Sequence, residues 1–207
     1  MKKMTLVALA TLFALPAYAN QTYIAAELGK GSYSMSGNAA KHESFNDLDN
    51  VGFLNIKLGQ MLNENVRYYG YLQHGGDTTS EVTYLDAKTK SNLKTYELGL
   101  GGDYLYHFTN QFYAIAGANL GMYKSHLKLD IEFPNKVNRT LLNKSNKGIT
   151  TGANLGLGYT FTDHFGMEIG YRYTHFFGND YSVELDKKYE MQFDASHMGY
   201  LNLNYKF

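Results

Sequence analysis

The chain has 207 residues, with no cysteine, no tryptophan, two prolines, 21 glycines, 19 tyrosines and 12 phenylalanines, and its 19 basic side chains balance 19 acidic ones. Without cysteine there is no disulfide scaffold, no thiolate metal site and no thiol nucleophile. The charge balance argues against a nucleic-acid binder, and an aromatic-rich chain this poor in proline is not built to stay disordered.

Lys2 and Lys3 precede an apolar run from Met4 to Leu15, and Ala17-Tyr18-Ala19 fits the small-x-small cleavage rule. Residues 1–19 therefore read as a secretory signal peptide, because the run is short for a span of about 20 residues and Pro16 ends it. The expected mature domain, 20–207, is mildly acidic. No later stretch is apolar for about 18 residues, which excludes a helical membrane protein. A barrel stays open, since alternation hides its apolar residues from any window average.

Alternation then runs along the chain, and only a strand has period two. Thr22 to Tyr33 sets Ile24, Ala26 and Leu28 against Glu27, Gly29 and Gly31. Asn50 to Leu62 sets Leu54, Ile56 and Leu58 against Asn55, Lys57 and Gly59. Val66 to His74 pairs Val66, Tyr68 and Leu72 with Arg67, Tyr69 and Tyr71. Leu93 to Phe108 is the cleanest, with Tyr96, Leu98, Leu100, Tyr104 and Tyr106 opposite Glu97, Gly99, Gly101 and Asp103. Gln111 to Lys124 pairs Phe112, Ala114, Leu120 and Met122 with Tyr113 and Asn119; the facing of this fifth strand and of the third stays open. Gly148 to Thr162 and His164 to Phe177 follow, the latter with Met167, Ile169 and Tyr171 against Gly166, Glu168, Gly170 and Arg172. The last strand alternates Leu201, Leu203, Tyr205 and Phe207 with Met198, Tyr200, Asn202 and Asn204.

Asn63-Glu64-Asn65, Thr109-Asn110 and Thr162-Asp163-His164 are tight turns, whereas the intervening connections are long and polar. Strict alternation of short and long is the layout of an eight-stranded antiparallel up-and-down transmembrane β-barrel, with short periplasmic turns and long extracellular loops. A soluble barrel shares the period, so the faces decide. The polar parity carries Gly99, Gly101, Gly156, Gly158, Gly166 and Gly170, expected to leave room for arginine and glutamate in a narrow interior. Turning that face outward would put Glu27, Lys57, Glu97, Asp103, Glu168 and Arg172 in lipid, at about 2–4 kcal/mol for each basic group near the midplane. Tyr104, Tyr106, Phe108, Phe112, Tyr159, Phe161, Phe165, Tyr205 and Phe207 gather at the short-turn end as a lower aromatic girdle.

The run from Leu155 to Tyr173, LGLGYTFTDHFGMEIGYRY, and the ending Tyr205-Lys206-Phe207 resemble the small outer-membrane barrels: the OmpA transmembrane domain, OmpX, NspA and the opacity-type surface proteins. The resemblance covers the mature chain and implies a bacterial outer-membrane location. It further implies that the barrel-assembly machinery reads the terminal aromatic Phe207. No peptidoglycan-binding domain follows the barrel, so wall anchoring by that route is not expected.

The candidate site inside the barrel is a lumen charge network of Glu27, Lys57, Arg67, Glu97, Asp103, Glu168 and Arg172, expected to plug it by ion pairing. A gate passing small ions, a narrow porin-like channel, is the alternative. Lys124, Lys128, Lys136, Arg139, Lys144 and Lys147 make the third long loop basic and are candidates for contact with lipopolysaccharide phosphates or with a host or surface ligand. Leu127, Leu129, Ile131 and Phe133 alternate there, so a hairpin should rise above the membrane. The sequence points to a monomer embedded in outer-membrane lipid, with no cofactor, no metal site and no catalytic residue. A lipid A-modifying enzyme is the competing class, but His175, Ser196 and His197 are its only support, and Ser196 and His197 lie on opposite parities.

Overall fold

The computed structural model describes residues 21–37, 51–84, 87–132, 138–184 and 188–207; residues 1–19, expected to be a signal peptide, lie outside them. The strands are β1 (Gln21–Ser36), β2 (Val51–Met61), β3 (Val66–Tyr84), β4 (Ala87–His107), β5 (Phe112–Glu132), β6 (Asn138–Thr160), β7 (Phe165–Phe176), β8 (Asp180–Glu184) and β9 (Lys188–Lys206). Each pairs antiparallel with its neighbour on the wall, and β1 pairs with β9 from Tyr23↔Lys206 to Ser36↔Gln192. That closure removes the open edges an eight-stranded sheet would expose in lipid. β7 and β8 share one position on the wall: β9 pairs with β7 as far as His175↔Ala195, and then with β8 from Asp180↔Gln192. Phe177, Gly178 and Asn179 interrupt them, with Gly178 at a φ of 72°. Nine segments thus build an eight-stranded barrel, with no helix among the described residues.

The greasy parity faces outward. Leu155 is 65% exposed and Ile169 62%, whereas Glu27, Lys57, Asp103 and Glu168 are buried. The two open facings resolve the same way: Arg67, Tyr69 and Tyr71 on β3 and Tyr113 and Ile115 on β5 point inward, while Leu72, Leu120 and Met122 point out. At the short-turn end Phe112, Tyr159 and Phe161 meet in tilted and edge-to-face contacts, at 4.6 and 5.0 Å between centroids, and Phe165, Tyr205 and Phe207 meet edge to face at 4.9 and 5.1 Å.

The three tight turns are built alike. In each, one side-chain oxygen clamps the two backbone N–H groups at the start of the next strand. Asn63 Oδ1 accepts from Asn65 and Val66 at 2.8 Å. Thr109 Oγ1 accepts from Gln111 and Phe112 at 3.2 and 2.9 Å, and Thr162 Oγ1 from His164 and Phe165 at 3.3 and 3.0 Å. These are the Asx and Ser/Thr turns expected of such residues.

The interior glycines correct one expectation. They make room for tyrosine rather than for arginine and glutamate. Tyr23 lies opposite Gly59, Tyr69 opposite Gly101, Tyr71 opposite Gly99, Tyr113 opposite Gly158 and Tyr200 opposite Gly170, each across one ladder. A Cβ at Gly101 would stand 2.5 Å from the Tyr69 ring, and one at Gly158 2.2 Å from that of Tyr113. Each ring therefore lies flat over its neighbour strand and fills the narrow lumen. Gly166 differs, since it faces Asn204.

The strands also run further than alternation predicts at their outer ends. β3 and β4 continue to Tyr84 and from Ala87, and β5 and β6 form the hairpin that the Leu127 alternation implies. Phe133 and Lys136 lie outside the described residues.

Candidate functional site

The lumen is filled in layers. Nearest the periplasm, Arg67 bridges two carboxylates, contacting Asp103 Oδ2 at 2.7 Å and Glu168 Oε1 at 2.6 Å. Arg67 and Asp103 are direct cross-strand partners on β3 and β4, and Glu168 comes from β7 across the lumen. Above them Glu27 takes Lys57 at 2.8 Å and Arg172 at 2.5 Å. Asn204 links the two levels, donating to Glu168 at 3.2 Å and to Asn202 at 3.4 Å, while Asn202 donates to Glu27 at 3.4 Å.

Glu97 stands apart from both clusters. It accepts from Tyr71 at 2.5 Å and Thr150 at 2.9 Å, and reaches Arg172 only through Gln73, which accepts from the guanidinium at 2.9 Å. Of the seven charges read from the sequence, the structure gathers six into two ion-paired groups and places the seventh in a hydroxyl cage. Sequence reasoning missed Gln73, Asn202, Asn204 and the tyrosine hydroxyls. Tyr69 and Tyr113 donate to Asp103 and Glu168 at 3.3 and 2.9 Å, so each of these carboxylates carries a phenol as well as Arg67. The cations are also roofed by rings: Lys57 lies 4.8 Å from the Tyr69 centroid and Arg67 5.2 Å from that of Tyr23.

The outer lumen is different. Tyr33, Val51, Phe53, Leu93, Tyr123, Leu127, Phe176, Tyr181, Met191 and Phe193 form one buried apolar cluster across the bore. Above the membrane, Ser125 joins Asn179 at 2.7 Å and Tyr181 at 2.6 Å, tying β8 onto β5. Burial pushes the Tyr181 hydroxyl up from its ordinary value to about 12.

The basic residues of the third loop do not form one surface. Lys124 and Lys147 are direct cross-strand partners on the outward face, immediately above the apolar pair Met122 and Ile149. Lys128 faces out and pairs with Asp130 at 2.7 Å. Lys144 instead lines the extracellular mouth with Asp180, Tyr181 and Glu190. Lys136 is outside the described residues, and Arg139 is placed as the ladder partner of Ile131. Phe207 is 65% exposed beside Tyr205, its backbone N–H donating to Thr22 at 2.9 Å. Ser196 is buried in the lumen, whereas His197 faces out between Ser34 and Tyr171, so the pair does not converge.

A closed barrel with a lipid-facing apolar belt, an aromatic girdle and a charged interior defines an integral protein of the bacterial outer membrane. The chain belongs to the outer membrane protein beta-barrel domain family, whose profile matches residues 5–207. No curated protein matches the sequence. Among solved structures it is similar to Neisserial surface protein A at 15% identity and a TM-score of 0.57, covering 90% of this chain and 97% of that one. It is also similar to OprG from Pseudomonas aeruginosa at 15% identity and a TM-score of 0.55, covering 91% and 96%. The protease OmpT from Escherichia coli matches at 8% identity and a TM-score of 0.46, covering 93% and 97%. The likenesses to Neisserial surface protein A and OprG show the fold, and a fold by itself does not set activity.

Proposed function

We propose that this protein is a sealed, non-catalytic surface barrel that supports the outer membrane and does not conduct. The observation that supports it is the filled lumen: two ion-paired groups, the tyrosines laid over glycines, and an apolar plug succeed one another along the bore. An ion would have to displace all three. Planar-bilayer recordings should show no discrete openings for the wild-type protein, and regular openings there would sink the reading in favour of a narrow channel. Phe207, exposed at the lower rim, fits the role of the terminal signal for the assembly machinery.

A specific observation favours lipopolysaccharide as the partner of the outer rim. Like charges directly opposite each other on a sheet are destabilising, yet Lys124 and Lys147 are so placed, both exposed, where the apolar belt ends. A phosphate between them removes the repulsion and ties the barrel to its leaflet. Reversing both to glutamate should weaken binding to immobilised lipopolysaccharide and flatten its salt dependence. Binding indifferent to that change would dispose of the contact.

A further inference from the structure

The apolar belt is not equally tall around the barrel. On β5 and β6, counted up from the girdle pair Phe112–Tyr159, outward residues stay predominantly apolar as far as Met122–Ile149. On β1, β9 and β7 the rows Ile24–Tyr205–Phe165, Ala26–Leu203–Met167 and Leu28–Leu201–Ile169 are followed at once by Lys30–Gly199–Tyr171, and then by Ser32–His197–Tyr173. Six residues along a tilted strand lift Lys30 by about 15 Å above the girdle, inside the outer half of a belt about 25 Å tall.

The wall is recessed at that point. A Cβ on Gly199 would meet only the Lys30 carbonyl oxygen, at 3.8 Å, and one on Gly52, the partner of Lys30 on its other side, only that of Gly29 at 3.7 Å. Tyr171 and Lys30 flank the floor at Gly199. His197 closes the top, its Nε2 3.0 Å from Ser34 Oγ and its Nδ1 2.5 Å from the Tyr171 hydroxyl. In a neutral imidazole one nitrogen donates and the other accepts, so one of the two hydroxyls always keeps its own proton for an outside acceptor. Lys30 makes no ion pair among the described residues, and no outward residue of those rows is acidic; the first carboxylate, Asp194, comes beyond Ala195. An ammonium facing acyl chains is unfavourable by up to about 2–4 kcal/mol, and no carboxylate among the described residues offsets it here.

We propose that this recess holds the phosphate monoester of an outer-leaflet saccharolipid, with Lys30 as counter-ion and the Ser34–His197–Tyr171 chain, with Ser32, as hydroxyl donors. A terminal phosphate presents three free oxygens to this set, whereas the phosphodiester of a glycerophospholipid presents two. The site lies on β1, β9 and β7, whereas Lys124 and Lys147 stand on β5 and β6, and it does not rest on their contact.

Native mass spectrometry of the full-length processed protein in detergent tests it, with lipid A, enzymatically dephosphorylated lipid A and phosphatidylglycerol as probes. The wild-type protein should retain lipid A in preference to both other lipids. Lys30→Gln, which removes the charge, and Gly199→Val, which fills the recess and leaves the charge, should each weaken retention about tenfold, or about 1.4 kcal/mol. Lys124→Gln with Lys147→Gln should leave that adduct in place, so the rim contact and the recess fail or stand separately. Heat-modified gel mobility checks folding, and Lys30→Gln carries the test if Gly199→Val does not fold. Equal retention by Lys30→Gln, or equal binding of dephosphorylated lipid A or phosphatidylglycerol, overturns the proposal.

Discussion

The lower and outer lumen are walled by the same strands and filled in opposite ways. Below, Arg67, Asp103, Glu168, Glu27, Lys57 and Arg172 occupy a bore surrounded by Leu155, Leu157 and Ile169. Above, Leu127, Phe176 and Phe193 occupy it, and Lys124, Lys128 and Lys147 stand outside. On β5 the reversal is complete within a few residues: Met122 faces out and Asn119 in, then Lys124 faces out and Leu127 in. Each face follows its solvent. Around the lower wall the interior takes the charges, and the apolar plug, which begins with Phe53 and Val51 level with Lys30, runs up to where Lys124 and Lys147 face outward.

The sharpest break in that contrast is Arg67→Ala, which leaves Asp103 and Glu168 buried without their cation and should lower stability against urea by about 3–5 kcal/mol across the whole barrel. Replacing all three with apolar residues of similar size should restore much of the loss. Phe193→Ala opens a cavity in the outer plug, with a local loss of up to about 3 kcal/mol. Hydrogen exchange should then quicken in β8 and the outer end of β9 while β3 to β5 near Arg67 stay protected. If both substitutions loosened the same amides, the two regions would be one cooperative unit. Gly101→Val should displace the Tyr69 ring for about 1–3 kcal/mol and weaken its hydrogen bond to Asp103. The smallest effect concerns Tyr181. Its hydroxyl is raised to about 12, so the stability it gives is whole below about pH 10 and is lost as the pH climbs from 10 toward 12. Tyr181→Phe should flatten that alkaline limb in exchange measurements on β8.

The facing of the strands was legible because lipid and lumen impose period two, and Lys57, Asp103 and Glu168 could be placed inside on parity alone. Their partners could not. A tight turn sets the register of β2–β3, β4–β5 and β6–β7, but Tyr69–Gly101, Tyr113–Gly158 and Tyr200–Gly170 lie across strands whose connections read as long polar loops in the sequence. Loop length leaves that register free, so the match of ring to glycine is invisible before folding. The recess at Gly199 escaped notice for the same reason: Lys30, His197 and Tyr171 come from three strands far apart in sequence. The outer reach of β3 and β4 was hidden because their polar ends carry no alternation.

The clamped turns at Asn63, Thr109 and Thr162 bear on the order of assembly. Each zips two strands that are adjacent in the chain, where little loop entropy has to be lost. Three ready-made pairs result, leaving β1 alone at one end and the C-terminal β9, with its short partner β8, at the other. β1 and β9 meet only by bringing together residues as distant as Tyr23 and Lys206. The ring therefore has a natural last stitch, and the aromatic Phe207 hangs at its lower end.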